Sequence, residues 1–185
     1  MNSAARCLLV LAIVTLSFPA AARQQSAVKA APVAQVPGYR GEYLANLVVA
    51  EGKLTELAED VAAEDYTWRP ASDVRSISEA HMHIATLNYL LAEHLGKPWP
   101  AGVPKTLEKI TDKDVVLAEL RRSFQHLREA VMKFKDANLE KKKTYAAQMM
   151  TNRNALLTHL GHLHEHLGQS IVYARMNGVA PSWSR

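Results

Sequence analysis

Residues 154–169 read NALLTHLGHLHEHLGQ. At about 100° per residue on a helix, Leu156, Leu160, Leu163 and Leu167 point in one direction, and Met149 upstream joins them. His159, His162 and His166 form a second stripe, centred about 100° to one side, while His164 points elsewhere. His162 and His166 are i and i+4, so both rings can reach one ion from one face. Neutral imidazole suits zinc, nickel, iron or copper. A polar seam of hydrogen-bonded histidines beside the core would give the same pattern. Two ligands make no durable site, so a third must come from another helix.

This helix is expected from about Tyr145 to Met176, where Asn177-Gly178 stops it. Three more helices precede it. The first covers Tyr39 to Val61, with Tyr39, Tyr43, Leu47, Leu54, Leu57 and Val61 at helical spacing. Trp68-Arg69-Pro70 then interrupts, because proline disfavours helix in the residue before it. The second starts at Ser76 or Ser78, either of which can cap it. Glu79, three residues after Ser76, is placed for a capping box. It runs to Leu95 and ends at Gly96, Pro98 and Pro100. The third covers Asp112 to Lys135. The connection between the second and third is long for neighbouring antiparallel helices, so it is expected to cross the bundle or one end of it. No stretch alternates as a strand would. The expectation is an all-α, four-helix bundle over residues 38–185.

The N-terminus reads as a signal peptide over residues 1–22. Arg6 gives a basic start, Leu8 to Leu16 is apolar apart from Thr15, and Ala20-Ala21-Ala22 provides small residues before cleavage. The apolar run is short of the ~20 residues a membrane span needs. Residues 23–37 read as a flexible lead-in. The protein is therefore expected to be exported, periplasmic or secreted, with no membrane span after cleavage. Cys7 is the only cysteine and would leave with the signal, which excludes disulfide and thiolate chemistry in the mature chain.

The 185 residues suit one domain, and 48% hydrophobic with 22% charged residues is a globular balance. The net charge of +4 is spread along the chain apart from Lys141-Lys142-Lys143. That run reads as a solvated helix end, and no interleaved basic and aromatic residues point to nucleic acid. The candidate partners are a small-molecule substrate and a second copy of the chain.

The second helix offers His81, His83 and His94 beside an apolar stripe of Ile77, Ile84, Leu87, Leu91 and Leu95. His81 and His83 flank that stripe on opposite sides, and periodicity does not choose between them. His94 shares a face with His83 but lies three turns away, too far to share an ion. His126 on the third helix is alone and reads as a surface or seam residue. His162-Leu163-His164-Glu165-His166 also fits H-x-x-E-H, with Glu165 as base. That pattern needs a further acidic ligand, and no Asp or Glu follows Leu167.

From Tyr39 onward the chain resembles the DinB-like family of helical-bundle metal-binding proteins. One segment runs through Trp68-Arg69-Pro70, Val74 to Glu79, His83-Ile84 and Asn88-Tyr89. The other runs from His162 to His166 through Gly168-Gln169 to Tyr173-Ala174-Arg175-Met176-Asn177-Gly178-Val179-Ala180-Pro181. The family has a lone His four residues after a Glu on the second helix, an H-x-x-x-H pair before Gly and Gln or Asn, and a terminal Tyr-x-Arg-x-x-Gly. All fall here in order.

The resemblance implies a four-helix bundle with His83, His162 and His166 as ligands to a divalent metal, zinc, nickel or iron. It thereby selects His83 over His81, with Trp68, Tyr173 and Arg175 in packing and helix-end roles. Some members are thiol-dependent transferases or isomerases using low-molecular-weight thiols, which are mainly cytosolic. The function expected is that of an exported metal-dependent hydrolase or transferase, with His159 or Glu165 as candidates for moving a proton. The alternative is a metal- or ligand-binding module of the cell envelope that does no chemistry. A third possibility is a bundle that has lost its metal and offers a partner surface.

Overall fold

The computed structural model describes residues 36–184. The expected signal peptide and all but the last two residues of the lead-in lie outside them. Helix α1 covers Gly38–Asp60, α2 Ile77–His94, α3 Lys113–Lys133 and α4 Asn152–Met176.

Their ends follow from local chemistry. Ser76 caps α2 in a full capping box: its hydroxyl accepts from Glu79 N–H, and the Glu79 carboxylate accepts from Ser76 N–H. Asp112 and Thr151 cap α3 and α4 through their side chains. Helices α2 and α4 both stop in Schellman motifs. Gly96 and Gly178 take the left-handed conformation at φ 99° and 77°. The bonds Lys97 N–H to Ala92 C=O and Val179 N–H to Ala174 C=O close them at 2.9 and 2.8 Å.

The helices form a ring in which α1 and α2 each pack on α3 and α4. Cross-bundle contacts give the directions. Asn88 meets Ser123 and Lys97 meets Glu129, so α2 and α3 run parallel. His94 meets Asn152 while His83 meets His162, so α2 and α4 run antiparallel. Tyr39 meets Arg153 and Tyr43 meets His159, so α1 and α4 are parallel. The bundle is therefore up-down-down-up. This explains the long connection after α2. The 18 residues of α2 span about 27 Å, and the chain must retrace that length before α3 can start. On the way it forms a short 3-10 turn, Leu107–Lys109, which buries Leu107 against the bundle.

The core between the helices is aliphatic, with Leu44, Leu47, Leu54, Ile84, Leu91, Leu120, Phe124 and Leu156 fully buried. One polar chain crosses it. Tyr43 of α1 donates to His159 Nδ1 of α4 at 2.9 Å. His159 Nε2 then meets Asn88 Oδ1 of α2 at 3.1 Å, and Asn88 Nδ2 donates to Ser123 Oγ of α3 at 2.9 Å. The Ser123 hydroxyl donates to the Leu120 carbonyl at 2.7 Å. Every group is satisfied, so one directed chain fixes the mutual register of four helices.

The sequence reading misses one element. Residues 145–151, expected to begin the last helix, instead belong to an antiparallel hairpin, β1 Lys142–Tyr145 and β2 Gln148–Thr151. Its two-residue turn holds Ala146 and Ala147 at φ 48° and 63°. Met149 accordingly lies on a strand and is exposed rather than in the core stripe, and Lys141 precedes the hairpin while Lys142 and Lys143 lie in its first strand, where a helix end was expected.

Candidate metal centre

His83 lies mid-helix on α2, and His162 and His166 lie one turn apart on the antiparallel α4. The antiparallel pairing brings them together. His162 Nε2 is 3.1 Å from His166 Nε2 and 3.5 Å from His83 Nε2. The three rings stand edge to face, with centroids 4.6 to 5.8 Å apart. A ligand atom from each lies within 4.8 Å of the other two.

The other nitrogen of every ring has an acceptor. His83 Nδ1 lies 2.8 Å from Glu108 Oε1, and His162 Nδ1 2.8 Å from Glu165 Oε2. His166 Nδ1 lies 2.9 Å from Gln169 Oε1, whose amide NH2 is committed to the Tyr173 hydroxyl at 2.8 Å. A neutral imidazole carries one proton, and these acceptors claim it at Nδ1. Three bare Nε2 lone pairs then face one another with no proton between them. Such an arrangement is repulsive by itself and is relieved by a cation. Two imidazoles on a tetrahedral zinc, with Zn–N of about 2.0–2.1 Å, have nitrogens about 3.3 Å apart. The observed 3.1 and 3.5 Å bracket that value. The donor set fits a divalent metal, and the acceptors behind it are what such ligands require for orientation.

Burial favours the neutral form of His83 and of His166. It lowers the pKa of His83, against the opposing pull of Glu108, with Arg75 lowering it further. It also lowers that of His166, helped by the neighbouring His162 and His83. Glu108 is itself held by Arg75, whose Nε and terminal nitrogen lie 3.1 and 3.5 Å from its oxygens. That bonding and His83 keep Glu108 below its usual range against the cost of burial.

The remaining histidines fall elsewhere. His159 is buried between Tyr43 and Asn88, and desolvation pushes it down to about 3. It stands apart from the three-histidine cluster, and its one N–H is committed to Asn88. Glu165 accepts the His162 N–H through Oε2 and so orients that ring. His81 turns the other way, with Nδ1 donating to the Ile77 carbonyl at 2.8 Å. Its buried Nε2 has no partner among the described residues. His94 bonds Asn152 at 2.8 Å, and His126 stacks edge-on against Tyr89. Trp68 packs edge to face on Tyr173 at 5.5 Å, the packing role expected for both. Sequence reasoning missed Glu108 and Arg75. Glu108 sits in the long connection, where helical phase gives no direction.

A family model described as the DinB superfamily matches residues 46–170. The chain is also similar to two solved structures. A DinB-like protein from Bacillus subtilis is 21% identical, with a TM-score of 0.61, over 74% of this chain and 92% of that one. A DinB-like protein from Bacillus cereus is 17% identical, with a TM-score of 0.66, over 75% and 93%. At these identities the two show a shared fold. No curated protein matches the chain. The four-helix architecture, the family model and the converging histidines agree, and the chain belongs to the DinB superfamily.

Proposed function

We propose that His83, His162 and His166 hold a divalent metal ion, zinc, nickel or iron, and that the protein is an exported metal-dependent enzyme of hydrolase or transferase type acting on a small molecule. The observation that carries this reading is the convergence of three Nε2 atoms whose partner nitrogens are all occupied by acceptors. Three protein ligands leave a position open, as catalytic centres do. A metal bound there supplies Lewis acidity toward a substrate oxygen or activates a water or thiol. The chain's own part is to fix the rings. Glu108, Glu165 and Gln169 hold each proton at Nδ1, and Arg75 braces Glu108. Export rests on the composition of residues 1–22, and no described helix is long and apolar enough to cross a membrane.

One observation favours the non-catalytic alternative, a metal- or ligand-binding module of the envelope. The two carboxylates that reach the rings among the described residues, Glu108 and Glu165, each accept a ligand histidine N–H, an orienting role that holding a metal requires with or without catalysis. Assay of the metal-loaded protein on thiol-transfer, amide and ester panels separates the two. Turnover that His83→Ala abolishes establishes the enzyme. Stoichiometric metal with no turnover on any panel establishes the module.

A further inference from the structure

A pocket of about 310 Å³ lies between the second half of α2 and the hairpin. Leu87 and Leu90 line it from α2, Tyr145 and Ala146 from the hairpin, and Glu93 and Lys143 are its charged members. Leu90 keeps 41% of its surface exposed there. Helical phase puts Leu87 and Leu90 within about 40° of the direction of His83, and Leu90 about 10 Å along the axis from it. The pocket and the histidine centre therefore share one face of α2 but use different residues.

Two features mark the pocket as more than a packing defect. The first is the hairpin. It puts little into the core beyond Met150, with residues 142–144 exposed. Yet it keeps two alanines in the left-handed region, a conformation that L-residues enter at a cost. A two-residue hairpin turn demands that conformation, and it sets Ala146 into the lining. The second is charge. Glu93 has Lys105 at 3.8 Å. Lys143 donates one N–H to the His94 carbonyl at 3.0 Å and has no carboxylate partner among the described residues. An ammonium has three donors, so two are left over. The lining is apolar, with Glu93 turned toward Lys105 and the exposed Lys143 ammonium keeping two donors, and its volume is at the small end of the range for ligand pockets.

We propose that this pocket binds a medium-chain monocarboxylate, with the apolar chain against Leu87, Leu90 and Tyr145 and the carboxylate on Lys143. Affinities of octanoate, octanol and octylamine for the full-length mature protein, followed by calorimetry and by methyl shifts of Leu87 and Leu90, test it. Octanoate is expected to shift those methyls and to bind at least tenfold more tightly than octanol, with octylamine weakest. Lys143→Gln is expected to bring octanoate down to the octanol level while leaving octanol unchanged, and Lys143→Arg to retain octanoate. The His162→Ala/His166→Ala double variant is expected to bind octanoate as wild type does, so a failed metal reading leaves this site standing. Equal affinity for octanoate and octanol, or an unaffected Lys143→Gln variant, overturns the proposal. Loss of octanoate in the double histidine variant also overturns it, by placing the carboxylate at the histidines.

Discussion

The Nε2 atoms of His162 and His166 lie 3.1 Å apart while the Nδ1 of each is turned to a side-chain oxygen. Neither nitrogen of the close pair then has a proton to offer the other. That relationship, with His83 as the third member, makes the protonation of the rings a matter for the residues behind them.

Glu108 is the first of these. Glu108→Ala removes the acceptor on His83 Nδ1 and frees the ring to rotate or change tautomer. Metal affinity is expected to fall about 10- to 100-fold, the range for such supporting groups. Glu108→Gln keeps an acceptor and is expected to lose less. Competition against a chelator of known affinity measures both.

The buried chain from Tyr43 to Ser123 predicts graded losses of stability. Asn88→Ala strands the N–H of His159 and takes away the donor to Ser123 Oγ at once, and is expected to cost about 2–4 kcal/mol. Tyr43→Phe strands only His159 Nδ1 and is expected to cost about 1–2 kcal/mol. Denaturant unfolding of the two variants against wild type checks the order. Equal costs would mean that the chain does not act as drawn.

His159 also sets a pH dependence. Burial lowers its pKa to about 3 in the folded protein, against an ordinary value near 6.5. The unfolded chain takes up this proton as pH falls below about 6.5, whereas the folded one does not. Stability is therefore whole above that pH and is lost progressively between about 6.5 and 3. Unfolding midpoints across this range should fall more steeply for wild type than for His159→Gln. Parallel curves would contradict the assignment.

The hairpin turn offers a stabilising change. Ala146 and Ala147 both sit at positive φ in a two-residue turn, which Asn-Gly satisfies without strain. The Ala146→Asn/Ala147→Gly double variant is expected to gain about 1–2 kcal/mol, seen as a raised Tm.

The same turn shows why part of the fold was not legible in the sequence. Hairpin turns are recognised by Asn, Asp or Gly where φ must be positive, and Ala-Ala carries no such signal. Residues 145–151 therefore read as the start of a helix, with Met149 in its core stripe. The bundle itself was legible because Ser76, Asp112, Gly96 and Gly178 mark ends that local chemistry alone dictates. His162 and His166 were legible because their pairing is a property of one helix. His83 needed the resemblance, since phase left it level with His81. Glu108 left no trace, because only the return path of the connection after α2 brings it to His83.

Whether His83, His162 and His166 together bind a metal ion is decided by elemental analysis of protein purified from its native compartment, comparing wild type with the His162→Ala/His166→Ala double variant. About one equivalent of zinc, nickel or iron in wild type and a marked loss in the variant is the predicted result. The same metal content in both would contradict it.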